Sequence, residues 1–129
     1  MIGNATKSNG IVMRKTVDLL NSVNDLSKNI PEDELLNIGN RLIGCVGSVP
    51  ENLENGYNVE HNVSKIKFLI KVFQALAECK NYLKMIERLN YCDTLDLMSK
   101  VDDLKNLILM EFPSQISVNK QYRENAVNG

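Results

Sequence analysis

The chain has 129 residues and a mass of 14.5 kDa, with 43% apolar residues, 24% charged residues and no Trp. That is one domain's worth of sequence, apolar enough for a compact core and too apolar for a disordered tail. Seven Gly and three Pro exclude collagen-like and low-complexity classes, and a net charge of −1 gives no whole-chain argument for nucleic acid.

Apolar runs are short. Leu107 to Met110 is typical, far below the roughly 18 residues of a membrane span. Met1 to Gly10 is polar and carries no apolar signal core, so this segment reads as a flexible start and nothing asks for export or a membrane. Cys45, Cys79 and Cys92 are odd in number and show no CxxC spacing. A disulfide framework and a tetrahedral zinc site are therefore not expected. Each cysteine falls in an apolar helical pattern and reads as a small core residue, which fits a reducing cytoplasm.

The first helical segment runs from about Ile11 to Asn29. Val12, Thr16, Leu19, Val23, Leu26 and Ile30 recur at spacings of four and three, a helical stripe close to a heptad. Pro31 ends it. A second helix starts at Pro31-Glu32-Asp33-Glu34, because Pro suits a first turn and carboxylates favour the positive end of the helix dipole. Its stripe is Leu35, Ile38, Leu42, Cys45, Val46, Val49 and Leu53. Gly44, Gly47 and Ser48 share one side, which points to close approach of another backbone. Pro50 is predicted to kink or break this helix, and Asn55-Gly56 to stop it in the left-handed conformation.

The third segment, about Val59 to Asn90, carries two stripes. Ile66, Leu69, Ile70, Phe73 and Ala77 form one; Phe68, Val72, Ala75, Cys79, Tyr82 and Ile86 form the other. At 100° per residue they lie roughly 140° apart. A helix on the outside of a bundle needs one stripe. The second therefore reads as a surface for another copy of the chain, unless the other helices supply all the cover. The fourth segment follows Asp93 or Thr94 as a cap and buries Leu97, Met98, Val101, Leu104, Ile108 and Phe112. Pro113 ends it, and the polar stretch 113–129 reads as a mobile tail. No strand alternation appears. The predicted fold is all-α: an up-down-up-down antiparallel four-helix bundle over residues 11–112, assembled as a homo-oligomer.

Little here supports catalysis. His61 is the only histidine and lies in the polar run Glu60-His61-Asn62, with no nucleophile or orienting partner placed by sequence. There is no P-loop, GxGxxG or GxSxG motif and no Glu-x-x-His pairing of the di-iron type. No enzyme, metal or cofactor is expected.

Charge is uneven along the chain. Residues Val17 to Glu60 hold 2 basic and 8 acidic side chains, whereas His61 to Tyr91 holds 6 basic and 2 acidic ones. Lys80, Lys84 and Arg88 follow one face of the third helix at intervals of four, and Lys67 and Lys71 form a second pair. With Lys65 they are the candidate phosphate-facing set. The alternative is an ordinary solvated face beside Glu78 and Glu87, with the acidic first and second helices meeting a basic protein partner instead.

The stretch Ile30-Pro31-Glu32-Asp33-Glu34, followed by Ser48-Val49-Pro50-Glu51-Asn52-Leu53-Glu54-Asn55-Gly56, resembles a family pattern FP-x-x-E … S-I-P-x-N-I-x-E-G. Lys67-Phe68-Leu69, Ala75-Leu76-Ala77-Glu78 and Leu89-Asn90-Tyr91 resemble its K-F-L, S-L-x-E and L-G-Y elements. This family comprises the small four-helix bundle proteins encoded in ribosomal-RNA intervening sequences, with the accessory variability determinants of diversity-generating retroelements as relatives. The resemblance implies a cytoplasmic, non-catalytic homopentamer with a central channel. For the retroelement branch it implies binding to a reverse transcriptase and its template RNA through a positively charged surface.

Overall fold

In a computed structural model of the protein, residues 3–112 are described, with side chains from residue 10 onward. The predicted tail 113–129 lies outside the described residues. All described secondary structure is helical, in four helices. Helix α1 is Gly3–Ser27. Helix α2 is continuous over three stretches: Glu32–Glu34, a π-helical turn Leu35–Gly39, and Asn40–Asn58. Helix α3 is Asn62–Arg88 and helix α4 is Leu95–Glu111. Helix α1 starts at Gly3, upstream of Ile11, where the sequence pattern places the start of the first segment.

Helix α1 packs on α2 and α4, and α3 packs on α2 and α4, so four neighbouring pairs enclose one core. The core takes Leu19 and Val23 from α1, Leu42, Val46, Val49 and Leu53 from α2, Leu76 and Leu83 from α3, and Val101, Leu104 and Ile108 from α4. Thr16 is fully buried among them, and its hydroxyl donates to the Val12 carbonyl at 2.8 Å. This bond removes the cost of burying the polar group.

Start and stop signals act locally. The carbonyl of Pro31 accepts from the amides of Glu34 and Leu35, which closes the acidic first turn of α2. Pro50 does not break the helix, one of the two outcomes expected from the sequence. The helix passes through it, with Ser48 Oγ donating to the Cys45 carbonyl and Asn52 Nδ2 to the Ser48 carbonyl on either side of the missing donor. Gly56 is not a left-handed stop either: it is buried and helical, and the chain continues to Asn58. A Cβ at Gly56 would lie 3.5 Å from Phe68 Cβ, an ordinary contact distance, so α2 and α3 meet closely at this end.

The second α3 stripe is also corrected. Val72, Cys79 and Ile86 are fully buried, and Ala75 is 7% exposed, within the single chain. Packing α3 against both α2 and α4 covers this stripe, so Val72, Cys79 and Ile86 are core residues closed to another copy, while Ala75 lies at the edge of the groove toward α2. Only Phe68 and Tyr82 of that stripe remain half-exposed.

Candidate nucleic-acid interface

Helix α3 carries all six predicted basic residues, and the core stripe divides them. Lys67 and Lys71 lie on the flank that faces α2, while Lys80 and Lys84 line the cleft toward α4. From Lys67 to Lys80, or Lys71 to Lys84, the direction turns by roughly 140° at 100° per residue. The set is therefore two patches and not one row.

The six residues differ in what occupies them. Lys65 is half-buried and donates to the Gly56 carbonyl at 3.1 Å, which ties the start of α3 to the end of α2. It acts as a brace and leaves the phosphate-facing set. Lys67 is exposed, and Lys71 Nζ sits 5.5 Å from the centroid of the Phe68 ring, within range of a cation–π contact. Lys80 Nζ lies 3.0 Å from Asp102 Oδ1 on α4. Lys84 and Arg88 are exposed and form no ion pair among the described residues. Glu87 forms an ion pair with neither of them. Its Oε2 accepts from the amide of Thr94 at 3.0 Å and from the Thr94 hydroxyl at 2.5 Å, at the start of α4.

Two grooves flank α3. The one toward α2 encloses about 520 Å³ and is lined by Arg41, Gly44, Ser48, Lys71, Glu78 and Tyr82, among others. Sequence reasoning places another backbone close to Gly44 and Gly47. Among the described residues nothing is there: a Cβ built at either glycine meets no atom within 4 Å. The cleft toward α4 encloses about 230 Å³ and brings Lys105 beside Lys80 and Lys84. Lys105 was not legible in the α3 pattern, and only its place on α4 next to the buried Leu104 hints at it. Lys100, likewise unpredicted, joins α4 to α1 through Asp18 at 3.1 Å and Ser22 at 2.8 Å.

The titratable groups with displaced pKa values are structural in setting. Burial pushes the Cys45 thiol up to about 11, with Glu78 adding to it. Burial likewise pushes Cys79 up to about 12, with Cys45 nearby. Both thiols are overwhelmingly protonated at neutral pH, the opposite of an activated nucleophile. Tyr57 stacks on Phe112 with ring centroids 5.4 Å apart. Burial, and then the neighbouring Glu111 carboxylate, raise its hydroxyl far above the ordinary value. His61 is exposed at the N-cap of α3. Among the described residues no group of three or more His, Cys, Asp or Glu gathers as a metal site, and no helix is long and apolar enough to cross a membrane.

A family model described as 23S rRNA-intervening sequence protein matches residues 8–110. The chain belongs to this family. The matched span takes in all of α2 and α3 and nearly all of α4, so both flanks of α3 fall within the family's shared region of this intervening-sequence protein. No curated protein and no solved structure matches the chain.

Proposed function

We propose that this intervening-sequence protein is a non-catalytic, homo-oligomeric scaffold that holds RNA on the basic flanks of α3. The observation that carries the reading is the exposure of Lys67, Lys71, Lys84 and Arg88 along one helix of an otherwise slightly acidic chain. Lysine and arginine on a helix flank meet a phosphate backbone by displacing counterions, without reading sequence. A reverse transcriptase is a further partner on the strength of the resemblance alone.

Self-association is proposed at the groove between α2 and α3. Tyr82 reaches solvent there, and Gly44 leaves room for another backbone. Ring closure with five members is the count that the resemblance implies. The test of RNA binding is a low-salt filter assay. Wild-type protein retains labelled RNA, and the Lys80→Glu, Lys84→Glu, Arg88→Glu triple variant loses it; equal retention by the variant rejects the assignment. A second reading has the exposed Glu32 and Asp33 at the start of α2, beside the exposed Leu36, receive a basic protein partner. RNA-independent capture of a basic protein, lost on Glu32→Lys and Asp33→Lys replacement, would favour it.

A further inference from the structure

The cleft between α3 and α4 has apolar walls, including Phe73 and Ala77, and a charged rim of Lys80, Lys84, Lys105 and Asp102. Three ammonium groups face one carboxylate, which leaves two positive charges. The groove on the other flank sets Arg41 and Lys71 against Glu78 and leaves one. Low-dielectric walls concentrate the field of charges at such a rim. The charges also come from two helices, so an anion in the cleft is approached from both sides.

Asp102 is the informative member. Its Oδ1 sits 3.0 Å from Lys80 Nζ, hydrogen-bonding distance for an ammonium and an anionic oxygen. It thus fills the place that a phosphate oxygen would take. Lys84 and Lys105 have no ion pair among the described residues, so two of the three ammonium groups are available and the third is held in reserve.

We infer that this cleft is the principal phosphate-binding site for RNA, with Lys105 of α4 as a phosphate ligand and Asp102 as a built-in competitor for Lys80. The inference rests on the RNA-binding reading above and deepens it. It assigns the backbone contact to a two-helix cleft, and it makes the affinity adjustable at a single acidic residue.

The experiment is fluorescence anisotropy with a fluorescein-labelled, mixed-sequence single-stranded RNA and the full chain across a salt series. Lys105→Glu weakens binding about tenfold and lowers the salt slope by about 0.7, the loss of one phosphate contact on a single strand. Asp102→Asn strengthens binding about threefold and steepens the slope, because Lys80 is released to the RNA. Lys28→Glu, the same charge change at an exposed α1 residue paired with Asp25, stays within about twofold of wild type, as expected of a charge away from the site. Lys105→Gln, a milder change, loses affinity in the same direction, and unchanged circular dichroism verifies the fold of each variant. If Lys105→Glu loses no more than Lys28→Glu, or Asp102→Asn binds no tighter than wild type, the cleft assignment falls while RNA binding stands. If wild-type protein fails to bind at low salt, both readings fall.

Discussion

Glu87 is an acidic residue inside a basic run, and its carboxylate serves the next helix. By accepting from both the amide and the hydroxyl of the fully buried Thr94, it satisfies a donor that the first turn of α4 leaves open. Asp93 adds a second bond, to the Leu95 amide at 3.0 Å. That Asp93 and Thr94 begin a helix was legible in sequence. The part played by Glu87 was not, because it depends on how the loop folds back. Glu87→Ala is expected to cost about 1–2 kcal/mol in urea unfolding, the range of a lost cap with a charged partner; a loss below a few tenths would show that water replaces it. At Asn90 the backbone has φ 57°, and the Tyr91 amide reaches back to the Ile86 carbonyl at 3.3 Å. Asn and Gly tolerate this left-handed position and β-branched residues do not. Asn90→Gly should be neutral, and Asn90→Val should cost about 1–2 kcal/mol by the same measurement.

Glu111 gives a pH prediction at the same scale. Burial raises its pKa above 4.5, and the neighbouring Tyr57 hydroxyl partly offsets that rise. The folded protein therefore holds this proton more tightly than the unfolded chain does. The ionised carboxylate destabilises the fold at neutral pH, and that penalty fades as pH falls through the folded-state value. Glu111→Gln should be more stable than wild type at pH 7, with the difference shrinking toward pH 4. A difference independent of pH would assign its effect to packing instead.

At the scale of elements, each helix was legible from its stripe, and Pro31 with its three acids marked a boundary without tertiary help. What covers a stripe was not legible. Val72, Cys79 and Ile86 look like surplus surface on α3 because periodicity gives a direction and not a neighbour; the core is centred on their stripe, and the other stripe keeps Ile66, Ile70 and Phe73 half-buried and Ala77 exposed. Pro50 and Gly56 misled for a related reason: local preference marks a stop, but packing on both sides of the helix holds it together past them. Gly44 and Gly47 mark the reverse case, with small residues and nothing against them. Alanine at either site should stabilise the separated chain by about 1 kcal/mol through helix propensity. If the groove seats a second copy, Gly44→Ala, the one of the two that lines it, lowers the associated fraction in sedimentation. Stabilisation with unchanged association would move the interface elsewhere.

For the molecule as a whole, four stripes with short links led to the bundle, and the charge imbalance along the sequence led to α3. The division of its basic residues between two grooves, and the recruitment of Lys105 and Asp102 from α4, required the fold. Light scattering should return a multiple of 14.5 kDa, five being the number that the resemblance carries; a single-chain mass at high concentration would remove the oligomer from the account. The claim on which the functional reading stands is that exposed ammonium groups on α3 meet a phosphate backbone. Its most direct test is the affinity of wild-type protein for labelled RNA as salt is raised. Log affinity should fall linearly with log salt, with a slope of about −3 if Lys67, Lys71, Lys84 and Arg88 each meet a phosphate on a single strand. Absence of binding at low salt, or an affinity that salt leaves unchanged, would contradict it.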